Sequence, residues 1–378
     1  MYIVRRALGL PGHNSFYYIT GVDIADCDVT YEIGTSTLIL WIPRIEPREA
    51  LYFGAIPGPQ ELKRLHDVDD VRYSDHLNDY VRNRCVNQTI YLLHNEGRYR
   101  STRLAPTFQQ AMTRVDSTSL KPAMDRARLH KDAHEIALIR RACQISAIGH
   151  RIIAQRLLTC SNEREIHALF TGSCIAHAAP AMAYDVIAGA GVNASTLHYN
   201  QNNTDLEGND VVLVDAGCEY KGYASDITRT LPLRGKFEGK AKAIYDIVEE
   251  MQEACIAAAK VGKYYYELQV LAADIALDGL LKLGILKGDR ETIRWQGTVA
   301  AFFPHGLGHH VGLEVHDVDA GLLLGGVPSK SAFGGKRAPM SLESLVGLLT
   351  LDTRDAASES RLRMRLEPNM VLTIEPGV

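Results

Sequence analysis

The stretch that most constrains this chain is LVDAGCEYKGYASDITRT, from Leu213 to Thr230. Branched and apolar residues lead into Asp215, the short stretch EYKG follows, and a second strand-like run returns through Asp226. Two such runs on either side of a Gly-containing turn predict a β-hairpin. A chain that folds this way places two acidic side chains on the neighbouring strands of one ribbon.

The register of this hairpin decides how close its two carboxylates come. A turn centred on Tyr220 and Lys221 would place Asp215 directly opposite Asp226. Directly opposed residues share a face, with Cβ atoms about 4.5–5.5 Å apart. Two carboxylates there either share a proton or hold a cation, and two divalent metals would be bridged well by them. The alternative is a solvated hairpin that carries two unrelated aspartates.

A second feature is the density of histidines in PHGLGHHVGLEVHD. This segment holds four histidines within twelve positions, namely His305, His309, His310 and His316. The glycines between them let the backbone approach another group closely. The segment matches neither a GxGxxG phosphate loop nor the HExxH zinc motif. A single histidine is usually structural, whereas this density favours a metal or acid–base site.

Two further residues extend the candidate site. Glu375 ends the apolar run VLTIEPG, and a carboxylate buried there needs a cation or a proton. The alternative is a strand-end glutamate that faces solvent. His198 lies in the polar stretch STLHYNQNN, seventeen residues before Asp215, and is a weak signal by itself.

Composition narrows the class of protein. The 378 residues are 46% apolar and 23% charged, which is typical of a soluble globular protein of two domains. The net charge of −4 gives no basic excess for nucleic acid, and no run approaches the length of a membrane span. Seven scattered cysteines without a CxxC pair indicate reduced thiols. We therefore expect a cytoplasmic protein that binds neither nucleic acid nor membrane.

Local patterns predict two domains. In residues 1–125 we expect an α/β domain whose strands include SFYYITGVD, TSTLILWIPR, EALYFG and QTIYLLHNEG. Residues 126–378 alternate hairpins with amphipathic helices, the first of them in KDAHEIALIRRACQISAIGHRIIAQRL, and this is an α+β pattern. The Gly-, Ser- and Pro-containing segment 317–365 is predicted as a lid, a dimer contact or a wrongly translated intron.

Taken together, the motifs resemble those of the pita-bread metallopeptidases, in the Xaa-Pro branch of aminopeptidase P and prolidase. The family pattern is a histidine, a hairpin with two aspartates, an HGxGH…H segment, a glutamate in TxEPG and one last glutamate. The matching residues are His198, Asp215, Asp226, His305, His309, His316 and Glu375. The resemblance implies an α/β N-terminal creatinase-like domain, residues 1–125, and an α+β pita-bread catalytic domain, residues 126–378.

The resemblance also implies a metal centre with two Mn²⁺ ions per subunit. Asp215 would bind one ion, Asp226 would bridge both, and His309 with Glu375 would bind the other. Oxygen-rich ligands with one imidazole suit Mn²⁺. A hydroxide that bridges the two ions would attack the carbonyl before proline.

The resemblance assigns the remaining roles as well. The residues implied to be catalytic are His198, His305, His316 and Glu375. Glu375 would accept a proton, while His198 and His316 would stabilise the oxyanion and hold the substrate. The implied partners are proline-containing peptides and a second copy of the chain in a homodimer.

The chain departs from the family pattern at its end. The family's last ligand, a glutamate on the strand after TxEPG, has no counterpart, because the sequence stops at Val378, three residues past Glu375. We therefore interpret the sequence as truncated at the C-terminus. Residues 1–378 alone are expected to bind two metals weakly and to have low activity, and a missing strand would leave a sheet edge exposed.

Four functions are compatible with the family pattern to different degrees. An Xaa-Pro aminopeptidase, which removes the residue before a penultimate proline, is the leading prediction. A prolidase acting on Xaa-Pro dipeptides fits the same motifs, although no residue is assigned to the dipeptide carboxylate. A non-catalytic pita-bread binding protein would tolerate a missing ligand, but four of five ligands are present. A methionine aminopeptidase fits poorly, because this chain has a separate N-terminal domain.

Overall fold

A computed structural model describes residues 2–5, 13–93, 114–318 and 364–378 of the chain. It separates into two compact units, residues 1–128 and residues 129–378. Nearly all of the predicted insertion 317–365 lies outside the described residues. Of the helices in the described ranges, none is both long enough and apolar enough to cross a membrane.

The first unit contains a six-stranded mixed sheet among its described residues, in the order β4-β3-β2-β1-β5-β6. Its strands are β1 (Tyr2–Arg5), β2 (Asp28–Glu32), β3 (Thr37–Ile42), β4 (Asp70–Tyr73), β5 (Thr89–Leu92) and β6 (Arg114–Asp116). Its helices are α1 (His13–Thr20), α2 (Pro47–Phe53), α3 (Pro59–Leu65), α4 (Leu77–Arg84) and α5 (Leu120–Leu129). The sheet contains both parallel and antiparallel strand pairs, and helices lie between its strands in sequence. This arrangement confirms the predicted α/β class of the unit.

The inner strand β3 carries the core of this sheet. Leu40, Trp41 and Ile42 are almost fully buried, which is why the centre of the run TSTLILWIPR, LILWI, is apolar without interruption. The indole Nε1 of Trp41 donates a hydrogen bond of 2.9 Å to Thr30 Oγ1 on β2. The polar atom of the largest buried side chain is therefore satisfied.

Two of the four predicted strands in this unit are wrong. The runs SFYYITGVD and EALYFG form helices α1 and α2. In α2, Pro47 occupies the first turn, and Glu46 and Glu49 form a reciprocal capping box. In α1, Thr20 Oγ1 donates to the carbonyl of Phe16 four residues earlier. These capping and turn contacts outweigh the β propensity of the aromatic residues, whereas TSTLILWIPR and QTIYLLHNEG contain β3 and β5 as predicted.

The second unit combines long helices with short antiparallel strands. Its helices are α6 (Ala133–Arg156), α7 (Glu163–Ala176), α8 (Gly239–Ala258), α9 (Tyr265–Lys282) and α10 (Arg290–Trp295). Its strands are β7 (Ala181–Met182), β8 (Ile187–Ala190), β9 (Val211–Asp215), β10 (Cys218–Tyr220), β11 (Tyr223–Ala224) and β12 (Thr228–Pro232). The predicted first helix is α6, which begins at a capping box between Asp132 and Glu135.

The predicted hairpin is present and changes its neighbours halfway along. Its outer half, β9 and β12, pairs with β8, and its inner half, β10 and β11, pairs with β7. The bend between the halves lies at Gly217, where a Cβ atom would come within 1.9 Å of the Ser225 carbonyl oxygen. Only glycine fits at this crossing of two backbones. The bend places Asp215 and Asp226 at the junction of the two small sheets.

The hairpin is held from behind by a hydrophobic core. Val212, Val214 and Ala216 are fully buried, as are Ile145 of α6 and Phe170 of α7 in the same cluster. Because side chains alternate along a strand, this packing leaves the odd-numbered positions of β9, including Asp215, on the opposite face. The core therefore determines which way the acidic side chains point.

Candidate metal centre

The hairpin turn lies one residue later than predicted. It is centred on Lys221, with a φ angle of 49°, and Gly222, with a φ angle of 82°. Two positive φ angles define the tight turn that suits a right-twisted hairpin, and the second position here is glycine. The shift pairs Asp215 with Thr228, so the predicted direct opposition of Asp215 and Asp226 is wrong. The two aspartates are diagonal neighbours instead, a distance that side chains still span.

A tyrosine that the sequence analysis did not identify lies between the two carboxylates. The hydroxyl of Tyr184 is 2.5 Å from Asp215 Oδ1 and 2.9 Å from Asp226 Oδ1. A phenol has one proton, so it donates to one carboxylate at a time, and the other needs a proton or a cation. Burial, followed by the charges of Asp226 and Asp215, raises the pKa of Tyr184 well above its usual value. Its position in MAYDVIAG carries no motif that would have identified it.

The histidine-rich segment and the EPG segment form a short antiparallel ladder. Backbone hydrogen bonds of 2.8–3.1 Å link residues 307–311 to residues 371–375 at every second position. Within this ladder, His310 and Leu372 form an isolated antiparallel bridge. The ladder brings His309 and Glu375 to the same place.

Thr373 fixes these two side chains relative to each other. Its hydroxyl accepts a hydrogen bond of 2.9 Å from the His309 amide and donates one of 2.6 Å to Glu375 Oε1. A Cβ atom at Gly308 would lie 2.4 Å from the Thr373 carbonyl oxygen and 2.5 Å from the Tyr265 hydroxyl. The close backbone approach predicted for the glycines of this segment is confirmed at Gly308.

Three predicted metal ligands converge at this point. Asp226, His309 and Glu375 each offer one ligand atom, and these atoms lie within 4.8 Å of one another. His309 Nε2 is 3.2 Å from Asp226 Oδ2 and 3.0 Å from Glu375 Oε1. Asp215 adjoins the cluster through the shared contact with Tyr184. The hairpin, the histidine-rich segment and the EPG segment thus supply one ligand atom each.

The protonation of His309 indicates that the cluster suits a cation. Its Nδ1 lies 3.0 Å from the His310 carbonyl oxygen, which can only accept, so Nδ1 carries a proton. Its buried Nε2 is close to two carboxylates but makes no hydrogen bond of good geometry. Burial by itself would lower the pKa of His309. The neighbouring Asp226 and Glu375 have a larger, opposite effect and raise this pKa to about 10. A proton there replaces the positive charge that a metal would supply.

The raised pKa of Asp215 also indicates a site for a cation. Burial raises its pKa, the nearby charge of Asp226 adds to this, and the net value is about 7. Desolvated carboxylates beside one another require positive charge if they are to be ionised. Several carboxylate oxygens with one imidazole nitrogen form a donor set that suits hard or borderline divalent cations. The residues therefore fit the metal centre that the family pattern implies.

Two of the predicted catalytic histidines lie at the exposed edge of the cluster. The His316 ring meets the His309 ring edge-on, with centroids 4.3 Å apart. Burial, then the neighbouring His309, lowers the pKa of His316, and His198 is close enough to contribute in the same direction. Both residues remain exposed overall, so they are accessible to a bound substrate, although the His316 ring packs with one side against His309.

His305 occupies a different position from the other two. Its Nδ1 lies 2.9 Å from the Gly306 carbonyl oxygen, and its ring meets Phe303 edge-on at 4.9 Å. Its Nε2 lies 3.1 Å from where a Cβ atom at Gly377 would be. The structure therefore places His305 beside the EPG segment, two residues beyond Glu375.

Family models match both units of the chain. The model of metallopeptidase family M24 matches residues 137–378, which include the hairpin, the histidine-rich segment and Glu375. The model of the aminopeptidase P N-terminal domain matches residues 12–93.

Curated relatives and solved structures extend this similarity over nearly the whole chain. A probable Xaa-Pro aminopeptidase of Colletotrichum graminicola is 47% identical over 375 residues, covering 96% of this chain and 70% of the relative. One from Metarhizium acridum is 46% identical, covering 96% and 72%. Zinc-substituted E. coli aminopeptidase P in complex with product matches with a TM-score of 0.78 at 27% identity, covering 99% and 82%. Proline aminopeptidase P II from Yersinia pestis also matches at 0.78 and 27%, covering 99% and 83%.

Proposed function

This chain belongs to metallopeptidase family M24, and from that premise we propose that it is an Xaa-Pro aminopeptidase. The reaction would remove the N-terminal residue of a peptide whose second residue is proline. The observation that carries the proposal is the convergence of Asp226, His309 and Glu375 within 4.8 Å from three separate motifs. The names of relatives at 47% and 46% identity support the same activity.

The proposed cofactor is a pair of Mn²⁺ ions. Asp215, Asp226, His309 and Glu375 are the residues that would hold them, and this oxygen-rich set with one imidazole supports Mn²⁺. When bound, the ions would supply a hydroxide that bridges them at neutral pH by lowering the pKa of a shared water. The hydrogen bond from Thr373 keeps the Glu375 carboxylate oriented toward His309.

The side chains around the ligands have separate proposed roles. Glu375 is half-buried and would accept a proton from the attacking water. His316, whose pKa is lowered, stays neutral near pH 7 and can donate a hydrogen bond from one ring nitrogen to the oxyanion. His198 would act with it from the loop before the hairpin. His305, beside Gly377, is the fourth residue assigned to catalysis.

The substrate preference follows from the chemistry of proline. The peptide nitrogen of proline carries no hydrogen. A peptidase that binds this N–H group in other substrates therefore loses a hydrogen bond with Xaa-Pro peptides. Proline-containing peptides are therefore the proposed partners. The second candidate is a prolidase restricted to Xaa-Pro dipeptides, because the motifs fit both branches equally.

The decisive experiment compares two substrates with one enzyme preparation. The chain is stripped of metal, supplied with Mn²⁺, and given Ala-Pro-Ala and Ala-Pro in parallel, with products followed by chromatography. Cleavage of the tripeptide supports the proposal, and cleavage of only the dipeptide supports prolidase. Asp226→Asn should abolish cleavage, while Asp210→Asn is the matched control, since Asp210 pairs with Arg234 on the surface. A chain that binds Mn²⁺ but cleaves neither peptide would support a binding protein.

We propose a cytoplasmic location as well. The seven cysteines all lie in the described ranges and form no disulfide there, which supports a reducing compartment. The homodimer suggested by the sequence stays a prediction, and light scattering of the purified chain would test it.

A further inference from the structure

Glu163 is the first residue of α7, and its charged side chain is fully buried. It lies outside the group of candidate ligands Asp226, His309 and Glu375, which we call the metal cluster. We propose that Glu163 is a positioning residue that holds the loop carrying His198 in place for the reaction. This inference rests on the proposed function, because it assigns His198 a role there. It adds a residue that neither the motifs nor the metal cluster includes.

The carboxylate of Glu163 is bound entirely by one segment of the chain. Oε1 accepts hydrogen bonds from the amide of Ala190 at 2.8 Å and from Asn193 Nδ2 at 3.0 Å. Oε2 accepts from the hydroxyl of Tyr199 and from the amide of Thr204, both at 2.8 Å. All four donors lie between residues 190 and 204, a segment that we call the His198 loop.

The charge of Glu163 and the shape of the His198 loop depend on each other. A buried carboxylate is costly unless it is fully hydrogen-bonded. Burial raises the pKa of Glu163, but the hydrogen bonds from Ala190, Asn193, Thr204 and Tyr199 outweigh it, and the net pKa lies below the usual value. The first turn of a helix also favours negative charge. Four neutral dipoles of the loop therefore take the place of a counter-ion.

Other contacts hold the two ends of the His198 loop. The side chain of Asn202 donates to the Val186 carbonyl oxygen at 2.7 Å and accepts from the Ala188 amide at 2.9 Å. The Glu163 amide donates to the Thr204 carbonyl oxygen at 3.0 Å. With both ends attached, the carboxylate of Glu163 controls the middle of the loop through Tyr199.

Tyr199 connects this anchor to the site. Its side chain is buried and hydrogen-bonded to Glu163, while the adjacent His198 is exposed beside His316. Adjacent residues cannot move independently when one is held on both sides. A shift of about 1 Å in a group that binds substrate can cost about 100-fold in rate. Glu163 thus acts through His198 and does not itself touch the metal cluster.

The first test is Glu163→Gln, which keeps the shape but replaces one acceptor oxygen with an NH₂ group. Two of the four donors would then face a donor, so the loop should shift. We expect kcat/KM on Ala-Pro-Ala to fall by about 10–100-fold, because His198 would be misplaced relative to the bound substrate. Mn²⁺ affinity, measured by calorimetry, should stay unchanged. The matched control is Glu165→Gln, since Glu165 is only half-buried, lies two residues along the same helix and accepts hydrogen bonds from Ser161.

A double-mutant cycle separates positioning from general stability. In the His198→Ala background, Glu163→Gln should cause no further fall in kcat/KM, because the residue through which it acts is gone. If the two losses multiply, Glu163 acts independently of His198 and the proposal is overturned.

Hydrogen exchange does not depend on catalysis, so it tests the role of Glu163 separately from the proposed function. Hydrogen exchange of at least one of the Ala190 and Thr204 amides should become faster in Glu163→Gln, because the amide NH₂ replaces the acceptor of one of them, while amides of the β9–β12 hairpin keep their rates. Unchanged exchange would overturn the inference, even if the wild-type chain cleaves Xaa-Pro peptides. Faster exchange in a chain without that activity would leave the anchor supported and the proposed function refuted.

If Glu163→Gln does not fold, a milder variant, Tyr199→Phe, tests the same proposal. Tyr199→Phe removes one donor and leaves the carboxylate charge in place. It should lower kcat/KM in the same direction but by a smaller factor, with unchanged Mn²⁺ affinity. A wild-type value of kcat/KM for this variant would contradict control of His198 through Tyr199.

Discussion

Two groups of buried charge in the second unit are compensated in opposite ways. Lys131 Nζ lies 2.9 Å from Asp317 Oδ2, and both side chains are 1% exposed, so the two buried charges compensate each other. In the metal cluster, Asp226 and Glu375 face a single imidazole, that of His309, and carboxylates are in excess. A self-compensated buried pair indicates a structural role, whereas an uncompensated set indicates a site for a cation.

The ion pair is also closely packed, which is typical of a structural role. A Cβ atom at Gly312 would come within 2.4 Å of Asp317 Oδ2 and 3.0 Å of Lys131 Cε. The glycine therefore lets the loop backbone lie directly on the pair. The metal cluster, in contrast, has exposed histidines along one edge, where a substrate can enter.

The largest expected effect is that of metal removal. Chelation should reduce Xaa-Pro cleavage to background, and Mn²⁺ should restore it, because the carboxylates of the cluster outnumber its single imidazole. At a free Mn²⁺ concentration about 100 times the Kd, the folded chain should gain about 2.7 kcal/mol of stability. Thermal melting with and without Mn²⁺ measures this gain. Asp226→Asn should lose the gain, and an equal gain in that variant would show that the metal binds elsewhere.

The next largest effect should come from breaking the ion pair. Lys131→Met leaves Asp317 buried beside an apolar group, so the free energy of unfolding should fall by about 3–5 kcal/mol. Urea unfolding of the apo chain measures this loss. The double variant Lys131→Met with Asp317→Leu should recover most of it, because no uncompensated charge is left. If Mn²⁺ stabilised the single variant more than it stabilises the wild-type chain, the separation of the two charge groups would be contradicted.

A smaller effect is expected at Tyr184, which supports the ligands without being one of them. Tyr184→Phe removes the hydroxyl that lies between Asp215 and Asp226, and Mn²⁺ affinity should fall by about 10–100-fold. Calorimetric titration measures the affinity. Tyr245→Phe, the same chemical change on a ring stacked against Phe237, is the control. Equal affinities in both variants would show that the hydroxyl does not orient the carboxylates.

The smallest effect is a pH dependence of stability at Glu163. Its folded pKa lies below the usual value, so ionised Glu163 contributes stability above the unfolded pKa near 4.5, and this contribution is lost as pH falls through the folded pKa. The stability difference between wild type and Glu163→Gln should therefore shrink below pH 4.5. Urea unfolding across this range tests the direction, and a difference that grows on acidification would contradict it.

The four motifs of the candidate site were predictable because each is local. Strand-like runs around a Gly-containing turn predicted the hairpin, and glycines among histidines predicted the close backbone approach seen at Gly308. The 3.6-residue periodicity in KDAHEIALIRRACQISAIGHRIIAQRL predicted α6. These signals depend on neighbours in sequence, so one chain was enough to find them.

The errors arose where distant contacts or one-residue differences decide the structure. The turn at Lys221 and Gly222 lies one residue from the predicted position, and that alone changes the partner of Asp215 by two residues. The helices α1 and α2 formed where aromatic content suggested strands. Tyr184 and Glu163 carry no local motif, because their partners lie between 27 and 42 residues away in the chain.

The sequence by itself determined the family, the two-unit organisation and most of the residues that line the site. Hydrophobic periodicity, turn residues and motif spacing are local properties that the chain carries in any environment. Only the tertiary structure decided which carboxylates meet, which of them are compensated and which residues anchor the His198 loop. The physical reason is that compensation of buried charge depends on distances between elements, and packing sets those distances.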